Sequence, residues 1–280
     1  MLIDLHTHTK CSDGLLTVEE LVKKAAQKKV KVLALTDHDT VEGLPLFVNT
    51  CAKYKIQAVP GIELSTEIDE IELHIVGYIK NFYHPKLVAL LKGQQKKRTD
   101  RAKLIIKKLR SLKFIITSAT AQELLAQKNV GKPHLGRAIL KEKANQELLK
   151  KKYNFTGGLS EFIGLFLDQP GQIGYVHKHR LNSLEAIDLI KKCGGLATLA
   201  HSDIELGKPS LAKKIIPQLV KGGLWGLEMP HVFIAHKKHL LPLAEKYKLV
   251  ITYGSDTHDG KELGKKIKDT DWQKINYLVE

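Results

Sequence analysis

The sequence predicts an α/β fold, a parallel sheet or a barrel, that is interrupted by a basic and mainly helical segment. Short apolar runs alternate with helical patterns over most of the chain, which is typical of strand–helix–strand units. Residues 80–152 differ in charge composition, because they hold 20 Lys and Arg residues but only 4 Asp and Glu residues. With 280 residues, 43% of them hydrophobic, the chain is long enough for one barrel-type domain or two smaller domains.

Seven apolar runs are the predicted strands. They span residues 2–5, 30–35, 57–64, 73–79, 196–200, 223–229 and 249–254. Three segments between them have helical patterns and are the predicted crossover helices: TVEELVKKAAQKK, SLEAIDLIKKCG and the region around PLAEKYK. The first of these begins with Thr17 and has Glu20 three residues later, a capping-box pattern that marks a helix start.

The basic segment is predicted to be a helical insertion between the fourth strand and the later ones. Patterns such as DRAKLIIKKLRSL and TAQELLAQK indicate successive helices. We therefore expect a barrel domain of residues 1–79 and 174–280 and an insertion of residues 80–173. The rest of the chain outside 80–152 is nearly neutral, with 25 basic and 26 acidic residues. The insertion is either a solvated lysine-rich surface or a surface that attracts a polyanion such as nucleic acid.

Targeting and redox features point to a cytoplasmic protein. The N-terminal MLIDLHTHTK has no basic region followed by a long apolar run, so we expect no signal peptide. No apolar run approaches the length of a transmembrane helix. Cys11, Cys51 and Cys193 are odd in number and scattered, which favours reduced thiols over a disulfide framework.

Metal-capable side chains follow most of the predicted strands. They are His6, His8 and Asp13 after the first strand, Asp37, His38 and Asp39 after the second, Glu63, His201, Glu228 with His231, and Asp256 with His258. The carboxyl ends of parallel strands meet on one face of a barrel, so these residues are expected to converge there. Each histidine alone would more often be an ordinary core or surface residue. The set offers imidazole and carboxylate ligands that suit Zn²⁺, Mn²⁺ or Fe, and its many carboxylates suggest more than one ion.

The chain resembles the PHP (polymerase and histidinol phosphatase) family in seven blocks that occur in the family's order: HTHTKCSDG, TDHD, GIELS, LHIVGY, KPHLGRAIL, LAHS and GSDTHDG. The resemblance runs from Leu2 to about Gly260. The blocks PHLGRAIL, GYV and CGGLATLAHS resemble the bacterial branch that includes nucleoside 3′,5′-bisphosphate phosphatases and the 5′→3′ exoribonuclease AM. The resemblance implies a distorted (β/α)7 barrel with two or three divalent metal ions, Mn, Zn or Fe, at the strand ends.

The resemblance also implies a ligand set for each metal. One ion would be held by His6, His8, Glu63 and Asp256, a second by Asp13, His38 and His258, and a third by Glu63, His74 and His134. Because His134 belongs to the insertion, this assignment implies that the insertion covers the active site. The remaining histidines (His177, His179, His231, His236 and His239) have no counterpart as ligands in the family, and we expect them on the surface or behind the ligands.

Substrate contacts follow from the same resemblance. Arg137 is similar to an arginine that grips a substrate phosphate, and His201 and Ser202 are similar to further phosphate contacts. A hydroxide that bridges the metals would attack phosphorus, with His201 touching the phosphate or protonating the leaving oxygen and Asp256 assisting as a base. Within TDHDT, Asp37 is expected to orient a ligand, and Asp39 to be a loop or helix-capping residue.

Three functions remain open from the sequence. The first is a metal-dependent phosphoesterase that removes the 3′-phosphate of nucleoside 3′,5′-bisphosphates, hydrolyses short RNA from the 5′ end, or does both. The second is a phosphatase of histidinol phosphate or another small phosphomonoester, which the GRAIL and AHS blocks disfavour. The third is a non-catalytic nucleic-acid-binding module, which the retention of nine candidate metal ligands disfavours.

Overall fold

The computed structural model describes residues 1–127, 130–177, 180–229, 234–268 and 272–279, with only the backbone described for 234–237 and 279. The chain divides into two compact units. We call residues 1–91 and 180–280 the barrel unit and residues 92–179 the helical unit. The expected insertion began at residue 80, whereas the division falls inside a long helix that starts at Pro85.

Within the described residues, nine strands form one curled sheet. They are β1 (Leu2–Asp4), β2 (Val32–Leu35), β3 (Gln57–Ile68), β4 (Ile71–Tyr78), β5 (Leu181–Asn182), β6 (Leu196–Leu199), β7 (Gly226–Glu228), β8 (Val250–Thr252) and β9 (Lys265–Lys266). The order across the sheet is β8-β7-β6-β4-β3-β2-β1-β9, and β5 pairs with β3. All seven predicted strands are present; the two-residue strands β5 and β9 are too short to show a sequence pattern.

The strand β4 departs from the expected parallel arrangement. It pairs antiparallel with β3 on one side and with β6 on the other, while the pairs β1–β2, β2–β3, β6–β7 and β7–β8 are parallel. The reason is the connection before it: only Asp69 and Glu70 separate β3 from β4, and both have a positive φ, of 50° and 64°. A two-residue turn of this kind makes a hairpin, because a parallel crossover needs a much longer connection.

The chain segments after β1 and β8 meet, so that the seven longer strands curl into a distorted (β/α)7 barrel and β9 extends the sheet beyond β1. Beyond the ends of β1 and β8, the Leu5 N–H donates to the Tyr253 carbonyl at 3.0 Å, and the Asp256 N–H donates to the His6 carbonyl at 2.9 Å. A parallel bridge between Thr7 and Thr257 extends this contact. The closure therefore brings the segments that follow β1 and β8 side by side.

Two apolar clusters hold the barrel unit together. A smaller one contains side chains from β1, β2 and β4, among them Ile3, Val32 and Val76. The larger one joins the sheet to the surrounding helices, for example through Leu21 and Ile190, which are fully or almost fully buried. These helices are α1 (Val18–Gln27), α2 (Leu44–Lys53), α8 (Ser183–Lys192), α9 (Ser202–Glu205), α10 (Pro209–Gly222) and α11 (Ile234–Lys246). A 3₁₀ helix spans Asn276–Val279.

The start of α1 confirms the predicted capping box. The Thr17 hydroxyl accepts a hydrogen bond from the Glu20 N–H at 3.2 Å, and the Glu20 carboxylate accepts one from the Thr17 N–H at 2.7 Å. These two bonds satisfy backbone donors that the first helical turn otherwise leaves unpaired.

The helical unit has a core of its own. Its helices are α3 (Pro85–Ser111), which begins in the barrel unit, α4 (Ser118–Ala126), α5 (Lys132–Lys141), α6 (Lys143–Tyr153) and α7 (Leu159–Phe166). Ile105, Leu109, Leu135 and Phe162 are among the residues of its buried apolar cluster. The unit therefore has enough apolar contact to be compact by itself.

No helix in the described parts of the chain is long and apolar enough to cross a membrane. The three cysteines are free thiols, as the scattered spacing predicted.

Candidate metal centre

The barrel strands and the segments that follow them bring nine histidine and carboxylate side chains together. They form three overlapping groups, within each of which the ligand atoms lie within 4.8 Å of one another: His6, His8, Glu63 and Asp256; His8, Asp13, His38 and His258; and Glu63, His74 and His201. Eight of the nine residues predicted as metal ligands lie in these groups, and His201 joins them. The groups share His8 and Glu63, so the arrangement has the form of a multinuclear centre.

Glu63 lies at the middle of this array and is fully buried. Its Oε2 atom is 3.2 Å from the Nε2 atoms of both His6 and His8, and 3.0 Å from Nδ1 of His38. Its other oxygen, Oε1, is 3.2 Å from Nε2 of His201. One carboxylate thus faces histidines from three different strand ends, which is the arrangement predicted for a bridging ligand.

Two aspartates flank the array. Asp256 Oδ1 lies 3.0 Å from His8 Nε2, and Asp13 Oδ1 lies 3.2 Å from His258 Nε2. Asp256 has φ = 52°, a left-handed conformation that side chains rarely adopt outside functional sites and tight turns. The tight turn after β8 aims its carboxylate back toward His8.

The chemistry of the donor set fits divalent metal ions. Buried ring nitrogens of His8, His38, His74 and His201 and buried oxygens of Glu63 and Asp256 have no hydrogen-bond partner among the described residues. Such atoms are costly to bury unless something else satisfies them. Two atoms that bind one ion at about 2.1 Å lie about 3–3.5 Å apart, as many pairs in this array do.

The electrostatics of the centre point the same way. Burial lowers the pKa of His8, but the carboxylates of Asp256 and Glu63 outweigh that effect and raise the pKa to about 10. Burial raises the pKa of Glu63, but the neighbouring rings of His38 and His6 outweigh it and hold the pKa well below its usual range. The carboxylates therefore stay charged and favour positive charge nearby, which metal ions held by His8, Glu63 and Asp256 would supply.

Glu228 holds two histidines of this array through hydrogen bonds. Its sequence position alone did not predict this role. Its Oε2 atom accepts hydrogen bonds from Nδ1 of His6 at 2.8 Å and from the backbone N–H of His201 at 2.9 Å. His201 has φ = 25° and ψ = 51°, so Glu228 ties down a strained backbone as well as a ligand ring. A side chain at Gly254 would meet Glu228 and His6 at 2.3 Å, so glycine is required there.

Glu205 has a similar place beside the third group and was also missed from the sequence. Its Oε1 atom accepts a hydrogen bond from the backbone N–H of His74 at 2.8 Å. The same atom lies 3.2 Å from Nδ1 of His74 and 3.4 Å from Nδ1 of His201. It sits in the four-residue helix α9, too short for a sequence pattern, although Glu205 is only four residues after His201.

The two aspartates of TDHDT lie outside the three groups. Asp37 is buried and accepts hydrogen bonds from the Thr9 N–H and hydroxyl and from the Ser12 hydroxyl, at 2.6–2.7 Å. It thereby fixes the loop that carries His8 and Asp13. Asp39 has φ = 50° and accepts a hydrogen bond from the Ser65 N–H at 3.1 Å, which makes it a loop residue.

Two predicted site residues lie in the helical unit. His134 is on α5, where its Nδ1 atom accepts a hydrogen bond from the Gly131 N–H at 3.1 Å. Arg137, three residues later on α5, lines a cavity of about 540 Å³ together with His134, Thr120 and Lys141. The predicted roles of His134 as a metal ligand and of Arg137 as a phosphate contact stay predictions.

The other predicted site and surface residues have the following places. The Ser202 side chain is buried and its hydroxyl donates to the Glu228 carbonyl at 2.7 Å, so its role as a phosphate contact also stays a prediction. His177 lies near the Tyr175 hydroxyl, and His239 near the Leu206 carbonyl. His179, His231 and the side chain of His236 lie outside the described residues.

Curated relatives match the chain over almost its whole length. A 5′-3′ exoribonuclease Rnm of Escherichia coli is 30% identical over 278 residues, 95% of this chain and 89% of its own. A phosphoribosyl 1,2-cyclic phosphate 1,2-diphosphodiesterase of Eggerthella lenta is 31% identical over 92% of this chain and 94% of its own. A 3′,5′-nucleoside bisphosphate phosphatase of Chromobacterium violaceum is 28% identical over 96% of this chain and 91% of its own.

A solved structure has the same architecture. An amidohydrolase from Chromobacterium violaceum, crystallised with sulfate and without metal, superposes with a TM-score of 0.82 at 25% identity, covering 99% of this chain and 96% of that one. The fold and the ligand array define a metal-binding phosphoric ester hydrolase. Residues 4–195 match the PHP domain, and the chain belongs to the PHP family.

Proposed function

We propose that the enzyme acts on nucleotide phosphates, by removing the 3′-phosphate of nucleoside 3′,5′-bisphosphates, by hydrolysing short RNA in the 5′→3′ direction, or by both. The observation that carries the proposal is the shared ligand array, in which His8 and Glu63 each belong to two metal groups. Full-length similarity to an exoribonuclease and to a bisphosphate phosphatase supports the choice of substrate class. Release of a terminal phosphate and cleavage of a phosphodiester need the same hydrolytic step at phosphorus.

The proposed metal ligands are His6, His8, Asp13, His38, Glu63, His74, His134, Asp256 and His258, for two or three ions of Mn²⁺, Zn²⁺ or Fe²⁺. When bound, such ions supply Lewis-acid chemistry: they make water more acidic and neutralise phosphoryl oxygens. Nitrogen and oxygen donors without thiolates accept any of these three metals. The ring of His201 lies with Glu63 and His74, so we propose that it either joins the third group or acts on the substrate as described next.

Three of the chain's own groups are proposed to contact the substrate phosphate, and a fourth to act on the attacking water. The Arg137 guanidinium binds phosphate oxygens in a two-pronged manner. His201 lies 3.2 Å from Glu63 and contacts the phosphate or gives a proton to the leaving oxygen. Ser202, next to His201, is proposed as a further phosphate contact, and Asp256 is proposed to accept the proton of the attacking water.

A cyclic phosphodiester is the second candidate substrate. The relative from Eggerthella lenta, which is named for that reaction, is 31% identical over 92% of this chain. The buried ligand array suits either substrate, because both reactions attack phosphorus beside negatively charged oxygens.

The free thiols of Cys11, Cys51 and Cys193 support a cytoplasmic location as part of the proposal.

Product analysis tests the proposal. Protein loaded with Mn²⁺ receives adenosine 3′,5′-bisphosphate, a short 5′-phosphorylated RNA and a ribose 1,2-cyclic phosphate in parallel, with Asp256→Ala and a chelator-treated sample as controls. We expect phosphate from the first substrate, mononucleotides from the second, or both products, and none from either control. Turnover of the cyclic substrate alone favours the second candidate. Turnover of histidinol phosphate alone, in a further arm, contradicts a nucleotide substrate.

A further inference from the structure

The long helix α3 carries a concentration of positive charge that the metal centre does not use. Among its residues Pro85–Ser111 there are ten Lys and Arg and a single acidic residue, Asp100. The whole helical unit holds 19 basic against 6 acidic residues, whereas the barrel unit holds 26 against 24. The net charge of the protein therefore comes mostly from the helical unit.

Some cations of α3 have structural partners. The Arg101 side chain donates to the Val176 carbonyl at 2.8 Å, and Lys108 donates to the Tyr175 carbonyl at 3.0 Å. Arg110 donates to the carbonyls of Ile116 and Thr117. These three cations hold loops of the helical unit to the helix, so folding explains their presence.

Four other lysines form what we call the lysine stripe: Lys92, Lys96, Lys103 and Lys107. Their positions i, i+4, i+11 and i+15 fall on one side of a helix, and all four are exposed. The apolar residues Ala102, Ile105 and Leu109 occupy a different face and are buried. At 1.5 Å per residue the lysine stripe is roughly 22 Å long, the length of several nucleotides of single-stranded nucleic acid.

An ordinary solvated helix surface does not account for the lysine stripe. Such surfaces usually alternate the sign of charge at i and i+4, because opposite charges stabilise a helix and like charges destabilise it. Here Lys92 faces Lys96, and Lys103 faces Lys107. Asp100 pairs with Lys103 at 3.1 Å, while Lys92, Lys96 and Lys107 have no hydrogen-bond or ion-pair partner in the described parts of the chain.

We propose that the lysine stripe binds the phosphate backbone of single-stranded RNA. Four ammonium groups on one side of a helix, three of them without an acidic partner in the described parts of the chain, complement a row of phosphates. They carry no base preference because they contact no base edge. The inference rests on the proposed function for the identity of the polyanion. It assigns to the helical unit a binding surface in addition to the predicted site residues His134 and Arg137.

Fluorescence anisotropy on chelator-treated, full-length protein tests this surface without hydrolysis. The probe is a labelled, 5′-phosphorylated single-stranded RNA of ~12 nucleotides, titrated at salt concentrations from about 50 to 200 mM. The test variant carries Lys92→Gln, Lys96→Gln and Lys107→Gln. The matched control carries Lys23→Gln, Lys53→Gln and Lys213→Gln, three exposed lysines of the barrel unit with the same total charge change.

We expect the stripe variant to bind the RNA about tenfold or more weakly than the original protein at 0.1 M salt. The slope of log K against log salt should become less steep by about 2, because each of the three lost contacts to a single strand contributes about 0.7. The control variant should match the original protein. An equal loss in both variants overturns the inference, since net charge alone would then explain binding. Stripe-dependent binding to anionic phospholipid vesicles in preference to RNA also overturns it.

Turnover of adenosine 3′,5′-bisphosphate by the metal-loaded variants separates this inference from the proposed function. If the variants turn over the substrate normally and RNA binding does not depend on the lysine stripe, the stripe is not the RNA-binding surface, and the proposed function is unaffected. If RNA binding depends on the lysine stripe but the protein hydrolyses neither nucleotide substrate, the proposed function is wrong, and the stripe is still an RNA-binding surface. Circular dichroism confirms that each triple variant is folded, as expected for exposed helix positions.

Discussion

The barrel unit and the helical unit differ in how they use charge. The barrel unit is nearly neutral, with 26 basic and 24 acidic residues, yet it gathers the buried and half-buried histidines and carboxylates of all three metal groups found in the described residues. The helical unit has 13 more basic than acidic residues and exposes most of them on its helices. Buried charge needs a partner of defined geometry, whereas exposed charge acts over a distance and is screened by salt. Changes in the barrel unit should therefore alter metal binding, and changes in the helical unit should alter salt-dependent attraction.

Removal of Glu63 should have the largest effect. Its two oxygens face histidines of all three groups, at 3.0–3.2 Å from the atoms named above, so Glu63→Ala leaves several ring nitrogens without their shared carboxylate. We expect activity to fall by several orders of magnitude and bound metal, measured by plasma mass spectrometry, to fall together with it. Near-native activity with full metal content would show that Glu63 is not a bridging ligand. Glu185→Gln, at an exposed position of α8, serves as a control.

The substitution His134→Ala tests whether metal binding belongs to the barrel unit alone. His134 lies in the helical unit but is predicted to bind the third metal. We expect His134→Ala to lower the affinity for one ion of the set, measured by metal titration, and to leave the salt dependence of RNA binding unchanged. His177→Ala, at an exposed position of the same unit, should change neither quantity. Unchanged metal binding in His134→Ala would confine the metal centre to the barrel unit.

Glu228 is expected to have a smaller effect, because it acts through two histidines. In Glu228→Ala, the His6 ring and the strained His201 backbone lose their common acceptor. Loss of an outer partner of this kind typically costs roughly 10–100-fold in metal affinity. Glu228→Gln keeps one oxygen as an acceptor and should recover part of that loss. Equal metal affinity in Glu228→Ala and the original protein would mean that packing alone positions His6.

Much of the fold and the ligand array could be predicted because each follows a local rule. Apolar runs located seven strands, and the convergence of strand ends brought distant residues such as His8 and Asp256 into one prediction. The direction of β4 was missed, because its parallel or antiparallel pairing depends on the turn at Asp69–Glu70 and not on the strand itself. A turn with neither Gly nor Asn gives no strong hairpin pattern.

The support of the ligands was harder to predict. Glu228 lies 27 positions from His201 and 222 from His6, and only the closed barrel brings the three together. His201 was assigned to the substrate because its motif resembles a phosphate contact, and that role stays a prediction; the position of its ring beside Glu63 and His74 was not expected. Glu205 has no pattern of its own, since a four-residue helix has no periodicity. Contacts that depend on closure of the barrel cannot be derived from spacing along the chain.

The smallest expected effects separate the stability of the two units. The Thr17 hydroxyl caps α1 in the barrel unit, and the Thr117 hydroxyl caps α4 in the helical unit by accepting from the Thr120 N–H at 3.1 Å. Replacing either threonine by alanine should cost ~1 kcal/mol of stability, because one backbone donor of the first turn loses its acceptor. Hydrogen exchange should show weaker protection in the unit that carries the change. Loss of protection in both units from Thr117→Ala alone would mean that they unfold as one cooperative body, and the contrast between them would then be one of charge and chemistry but not of stability.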